Sequence, residues 1–342
     1  MPSTNLPSTL VILGTGGTIA GTAADAGYNV GYTAAQRSVA ELLAAVPGLV
    51  DGADVSIEAE QVAQLDSKDM DIATWQALAQ RVAAHLARPE VQGLVITHGT
   101  DTLEETAWLL QRALAPAKPV VLVAAMRPAT ALMADGPQNL LDAVAVARTP
   151  GASGVVAVLA GRVHAAGRVR KVHSYRPDAF DSGDAGPLGV VEEGMLRRFQ
   201  PWPDTGAALG LALLAPAAET WPWVEIVHSH AGAGPRAIVA LLAAGVQGLV
   251  LAATGNGTVH QALQPALDLA ASAGVPVWRC TRCAAGMLVG RDPGPAAEMS
   301  PWQARLELTL SLLTARRRLR APRPASPASI SAQLPASGTG AV

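Results

Sequence analysis

Cysteine is nearly absent from this chain: 342 residues carry two, Cys280 and Cys283, set three apart in VPVWRCTRC. So few thiols exclude a disulfide-stapled secreted scaffold, and a zinc site would need two further ligands that do not lie nearby. A CxxC redox pair is one reading; two free thiols at a strand end in a reducing compartment is the simpler one. Charge is scarce as well. Charged residues make up 15% and the formal net charge is −2, so no global field directs the chain to nucleic acid or to an anionic membrane. Aromatics supply only 4%, yet half of the residues are apolar, a balance that suits a compact fold and excludes a disordered chain. Long apolar runs are missing too, because Gly, Pro and charges interrupt every stretch before the roughly 18 residues of a membrane span. The opening MPSTNLPSTLVILGTGG has no basic segment ahead of its short apolar run, so a secretory leader is not expected. Together these absences set the expectation of a cytoplasmic protein.

At this length two domains are expected. Short β-branched runs at 10–13, 94–97, 120–123 and 155–159 alternate with Ala/Leu-rich segments of helical spacing at 38–46, 72–86, 103–114 and 138–147. Continuous apolar strands separated by helices predict a parallel sheet covered on both faces, an α/β fold. The pattern breaks over 197–223, where PWPDTG and APAAETWPW read as a linker or domain edge. A smaller αβ set follows, with strands near 225–228, 248–252 and 275–279. The expected organisation is an N-terminal domain over 1–200 holding the catalytic residues, a linker over 201–222, a C-terminal domain over 223–320 and a tail over 321–342. The tail is low in complexity, and disorder is expected there. Arg316, Arg317, Arg318 and Arg320 close the last helix, where its dipole favours cations.

The chemistry-bearing residues cluster where strands end. GTGGTIAG (14–21) makes a tight turn whose backbone N–H groups can face a ligand. A dinucleotide fingerprint would need a third glycine where Ile19 stands, and a phosphate-binding P-loop would need a lysine that is absent. What remains is an exposed threonine, Thr15 or Thr18, beside backbone donors able to stabilise an oxyanion. ITHGTDTLEET (96–106) again ends a strand and opens a helix. Asp101 or Thr102 as an N-cap, with Glu104 and Glu105 in the first turn, explains part of it. The run His98, Gly99, Thr100, Asp101 is left over, at the carboxyl end of a strand where ligands bind in open α/β sheets. In AAGRVRKVHSYRPDAF, Lys171 lies in a strand-like stretch with Arg168 and Arg170 on the opposite face. A lysine desolvated beside other cations becomes a proton acceptor, and a threonine nucleophile is inert without one.

These segments resemble one family, the bacterial-type L-asparaginases and glutaminase-asparaginases. The resemblance rests on TGGTIAG (15–21), YTAAQRSVAELLAAVP (32–47), DSKDM (66–70), GLVITHGTDTLEET (93–106), AAMRPATALMADGPQNLLDA (124–143) and RVRKVHSYRPDAFDSGDAGPLG (168–189), in the family's order and spacing. It thins beyond about residue 210, where ATGNGT (253–258) and RCTRCAAG (279–286) carry it. The resemblance implies a flavodoxin-like parallel-sheet N-terminal domain, a smaller αβ C-terminal domain and a homotetramer built as a dimer of dimers. It implies hydrolysis of L-asparagine to L-aspartate and ammonia, with minor glutaminase activity at most. No cofactor or metal is implied, and neither nucleic acid nor membrane as a partner. A nucleotide- or phosphate-binding αβ module, using the two turns as anion sites, is the alternative.

Carried over by position, Thr18 matches the nucleophile that forms an acyl-enzyme. Tyr32 matches the mobile-loop tyrosine that hydrogen-bonds it, since Tyr28 would require an insertion before Val46 and Pro47. Thr100, Asp101 and Lys171 match a second triad-like set with Lys171 as base. Asp66, Ser67 and Asp101 match residues gripping the substrate's α-carboxylate and α-amino groups, with Gly17, Lys68, Gly99 and Thr100 lining the same site. Three departures stand out. Lys68 replaces a glutamine common among periplasmic members, Thr258 stands where some place an asparagine although Asn256 is kept, and no glutamate occurs near Pro293. Lys68 has two readings: a solvent-facing lysine paired with Asp66 or Asp69 on a polar loop, or, beside Ser67, an ammonium that attracts the substrate's carboxylate and competes with its amino group for Asp101. Selective asparagine hydrolysis with weak glutamine activity is expected from the second.

Overall fold

A computed structural model of the chain describes residues 8–49 and 55–320; the tail expected to be disordered lies outside the described residues. In chain order come β1 (Ser8–Gly16), β2 (Thr22–Ala23), β3 (Tyr32–Thr33), α1 (Val39–Ala44), β4 (Val55–Leu65), α2 (Ile72–Leu86), β5 (Val91–Thr97), α3 (Leu103–Leu114), β6 (Val120–Val123), α4 (Gly136–Ala147) and β7 (Val155–Leu159). There follow β8 (Arg162–Ala165), β9 (Arg170–Lys171), β10 (Phe180–Asp181), β11 (Gly189–Glu192), β12 (Met195–Arg198) and the one-turn α5 (Leu211–Leu214). The last part holds β13 (Val224–His228), α6 (Arg236–Ala243), β14 (Gly248–Ala253), α7 (Gln264–Ser272), β15 (Val277–Thr281) and α8 (Pro301–Arg320).

The larger sheet has eight strands in the order β12-β11-β8-β7-β6-β5-β1-β4. β4, β1, β5, β6 and β7 run parallel, in the flavodoxin-like sequence 2-1-3-4-5. The other three strands form an antiparallel edge, which the alternation of strands and helices did not predict. It starts at a two-residue turn, Ala160 and Gly161, both with positive φ (49° and 72°), the backbone twist that returns a strand beside its predecessor. The expectation of a linker from residue 197 is corrected at its start, because Arg197 and Arg198 belong to β12. Farther along, Leu213 and Leu214 of α5 are buried in the main core.

Side-chain alternation sends each strand's residues to two cores. Val11, Leu13, Leu94, Ile96 and Leu122 face α2, α3 and α8, while Leu10, Ile12, Val95, Val121 and Val123 face α1 and α4. A capping box starts α1: Glu41 N–H donates to Ser38 Oγ at 3.3 Å and Ser38 N–H to Glu41 Oε2 at 2.7 Å, satisfying two of the helix's otherwise unpaired donors. β13, β14 and β15 form a separate parallel sheet. The last helix serves both sheets: Leu306, Leu310 and Leu313 enter the main core, and Ala304 and Leu308 cover the smaller sheet. Of the two cysteines, both free, Cys280 is buried and Cys283 exposed. No helix among the described residues is long and apolar enough to cross a membrane.

Candidate active site

From β1 the chain passes to β4 on one side and later returns to β5 on the other. Such a reversal leaves a crevice outside the strand ends, and three turns open into it: Gly17–Thr18, Asp66–Ser67 and His98–Asp101. They touch because side chains are missing. Gly17 has φ +80°, and a Cβ there would lie 2.4 Å from Gly99 Cα; a Cβ on Gly99 would lie 2.4 Å from Ser67 Oγ. Glycine alone permits both the left-handed backbone and that approach.

Thr18 opens a short 3-10 turn and is buried. Its Oγ1 stands 2.7 Å from the Tyr32 hydroxyl, brought over the turn by the β2–β3 hairpin. Thr15, the other candidate, points into the sheet and donates from Oγ1 to the Thr97 carbonyl at 2.8 Å. Its hydroxyl proton is committed to a structural bond. The Gly17 N–H donates to the Leu65 carbonyl at 2.9 Å and is not free to bind an anion.

Lys171 reaches the crevice from β9. Its Nζ donates to Thr100 Oγ1 at 2.8 Å and to Asp101 Oδ1 at 2.5 Å. The expected cationic surroundings are not what it meets. Arg170 Nη2 donates to the Glu298 carbonyl at 2.7 Å and Arg168 pairs with the Glu298 carboxylate at 2.5 Å, so a hydroxyl and a carboxylate are the ammonium's partners. Asp101 N–H donates to Ser67 Oγ at 3.1 Å, and Thr102 Oγ1 to the Ser67 carbonyl at 2.9 Å. Thr102 is the N-cap residue of α3, as one of the two readings had it, but neither its side chain nor that of Asp101 makes a cap bond: they are spent on Ser67 and Lys171.

Lys68 pairs as its solvent-facing reading expects. Its Nζ donates to Asp66 Oδ2 at 3.1 Å and Asp69 Oδ2 at 2.9 Å, with the side chain 61% exposed. Those carboxylates hold its ammonium above the ordinary lysine value. It is Lys171, not Lys68, that occupies Asp101. Asn256 exchanges two bonds with the Val289 backbone, at 2.9 and 2.6 Å, and Thr258 Oγ1 donates to the Thr254 carbonyl at 3.0 Å; both side chains close their own loops.

Two residues to which sequence reasoning assigned no role in the site support it from below. His98 is fully buried, and its tautomer follows from its neighbours. The Gly99 carbonyl, 2.7 Å from Nδ1, can only accept, so Nδ1 carries the proton; in the neutral ring Nε2 then accepts from Thr106 Oγ1 at 3.0 Å, a hydroxyl that itself accepts from the Trp75 indole at 2.9 Å. Burial pushes the imidazole down to about 4, so it is neutral and locks the Gly99 peptide. Glu104, expected only as a first-turn carboxylate, is buried. The signal for both was the run of polar residues in ITHGTDTLEET at a buried strand end; what the side chains touch was not in it.

A family model described as "Asparaginase, N-terminal" matches residues 9–203, and one described as "Glutaminase/Asparaginase C-terminal domain" matches residues 223–319. The chain is 35% identical over 313 residues to L-asparaginase 2 of Bacillus subtilis, spanning 88% of this chain and 81% of that protein. It is 37% identical over 295 residues to the glutaminase-asparaginase of Pseudomonas fluorescens biotype A, spanning 86% and 80%. The crystal structure of a probable cytoplasmic L-asparaginase from Campylobacter jejuni matches with a TM-score of 0.83 at 36% identity, covering 89% of this chain and 95% of that one.

Proposed function

This chain belongs to the asparaginase family, and from that premise we propose its function: it is an L-asparaginase, an amidohydrolase that converts L-asparagine to L-aspartate and ammonia. Thr18 is the nucleophile in this reading. The observation that carries it is the pair of hydroxyl-centred sets on touching turns, Thr18 with Tyr32 and Lys171 with Thr100 and Asp101. The Thr18 oxygen attacks the side-chain amide carbon, the C–N bond breaks as the nitrogen takes a proton and leaves as ammonia, and water then hydrolyses the acyl-enzyme. A hydroxyl is a weak nucleophile until a neighbour accepts its proton, and Tyr32 is the group within reach.

Asp101 receives the substrate's α-ammonium and in doing so gives up part of its hold on Lys171. The lysine is then left against Thr100, where proton exchange with that hydroxyl can activate the deacylating water. Ser67 and Asp66 hold the α-carboxylate and α-amino ends, beside the touching backbones of Gly17 and Gly99. Lys68, committed to two carboxylates, points to solvent. A phosphate-binding role for the turns draws no support, since the Gly17 N–H serves Leu65.

The enzyme acts in the cytoplasm as a dimer of dimers in this reading, with glutamine a minor substrate. Ammonia release by purified protein from L-asparagine, L-glutamine and their D-forms tests the activity, and light scattering the assembly. No release from L-asparagine by the folded protein, or a monomeric mass, refutes the corresponding part.

A further inference from the structure

The first turn of α3 carries two adjacent glutamates with different fates. Glu105 pairs with Arg305 of α8 at 2.8 Å. Glu104 turns inward and is 4% exposed. Ser300 Oγ, at the head of α8, donates to its Oε2 at 3.2 Å, and Arg170 and Lys171 of β9 line one cavity with Glu104 and Ser300. One carboxylate thus joins three elements: α3, whose approach carries Thr100 and Asp101; β9, which carries Lys171; and α8, which spans both sheets. β9 needs such an anchor. It is two residues long, and its ladder consists of Lys171 opposite Phe180 and Arg170 opposite Asp181. Val172 N–H extends that ladder to the Ala179 carbonyl at 2.8 Å and Arg170 Nη2 reaches the Glu298 carbonyl at 2.7 Å, bonds that tie β9 to β10 and to the Glu298 loop but not to α3, whose approach carries the hydroxyl 2.8 Å from the ammonium. Burying a carboxylate is costly unless its partners compensate, and a residue here for packing alone would be apolar.

We propose that Glu104 is a positioning residue for the reaction: it holds the Lys171 backbone against the start of α3 and the head of α8, and so sets the Lys171–Thr100 contact from behind the crevice. The inference rests on the proposed function. Burial and the charge of Glu105 push the Glu104 carboxyl up to about 7, against the pull of Ser300, Arg170 and the Lys171 backbone. His228, Arg282 and Cys283 line the same cavity. The carboxylate form, the stronger acceptor, therefore predominates above about pH 7, and the grip loosens below it.

The test compares Glu104→Gln, Glu104→Ala and Ser300→Ala with the parent enzyme, each checked for native circular dichroism. Turnover and KM for asparagine are followed across neutral pH, along with hydrogen exchange of the 168–181 segment. Glu104→Ala is expected to lower kcat by about tenfold or more while KM moves less than about threefold, the split of a residue that acts on the reacting geometry. Exchange over 168–181 rises in that variant. Glu104→Gln, which keeps an acceptor but cannot ionise, restores most of the turnover and removes the pH dependence near 7. Ser300→Ala gives a weaker version of the alanine effect. Unchanged turnover in folded Glu104→Ala, unchanged exchange, or a Glu104→Gln profile that keeps its limb near pH 7 overturns the proposal. If Glu104→Ala does not fold, the glutamine variant decides. If the parent releases no ammonia, the proposed function fails, and the exchange measurement alone still judges whether Glu104 holds the strand.

Discussion

Tyr32 Oη lies 2.7 Å from Thr18 Oγ1 across Gly21, and the hairpin can come this close because Gly21 carries no side chain: a Cβ there would sit 3.0 Å from the tyrosine ring. Thr15, three residues earlier, faces the sheet instead. Thr18→Ala is expected to keep the fold and lose turnover by roughly 10³-fold or more, as for a member of a cooperating set. Thr15→Ala removes a buried bond and should cost stability, about 1–3 kcal/mol, with turnover retained wherever the protein stays folded. Steady-state kinetics beside calorimetry separates the two. Turnover surviving in Thr18→Ala and lost in folded Thr15→Ala would transfer the nucleophile to Thr15.

Lys171→Met removes the ammonium that bridges Thr100 and Asp101. Turnover should fall by roughly 10²-fold or more, the scale of a lost proton-transfer group, while KM changes far less. A variant with normal kcat and a greatly raised KM would make Lys171 an electrostatic clamp for the substrate carboxylate rather than a base.

Lys68→Gln should be nearly silent. The ion pairs it removes are exposed to solvent and screened by it, and the lysine does not touch Asp101. The KM for asparagine and the glutamine-to-asparagine ratio are expected to stay close to those of the parent enzyme. A clear shift in either would bring Lys68 back to the substrate.

Two buried histidines predict an acid-sensitive fold. Desolvation pushes both His98 and His164 down to about 4, against about 6.5 in an unfolded chain. As pH falls from about 6.5 to about 4, the unfolded state gains protons that the native state refuses, so stability present above that window is lost through it. Glu104 works in the opposite sense: with its carboxyl raised to about 7, it favours the native state at low pH and loses that contribution as pH rises through 7. Asp142, raised by burial, works in Glu104's sense, while Glu58 and Glu60, held low by Arg88 and Arg81, side with the histidines, so the melting temperature should fall between pH 6.5 and 4.5, and more steeply in Glu104→Gln. Calorimetry showing a flat melting temperature across that range would mean the native imidazoles take up protons.

Much of the architecture was legible because burial leaves a linear trace. β6, β7 and the Leu94–Ile96 stretch of β5 are buried and apolar without interruption, and α2 and α3 begin and end where the periodicity placed them. β4 was not legible. It is an edge strand, and its Glu58 and Glu60 reach out to Arg88 and to Arg81, so VSIEAEQVAQL reads as polar and ambiguous. The antiparallel edge escaped for a similar reason, since strands of four residues are too short to show a period.

Within the site, chain order and residue type identified which turns matter: glycines beside threonines at strand ends are what close backbone approach and hydroxyl chemistry require. Which hydroxyl is committed was another matter. Thr15 and Thr18 are nearly equivalent in a linear reading, and the sheet separates them by giving one the Thr97 carbonyl and the other the tyrosine. Asp101 had two lysines to choose from, one 33 residues before it and the other 70 residues after it. Glu104 and Glu105 are neighbours of identical chemistry, one buried beneath Lys171 and the other paired with Arg305 at the helix surface. Each of these choices depends on which groups distant segments bring within about 3 Å, a short-range condition that no local pattern encodes and that packing of the three turns, β9 and α8 alone imposes.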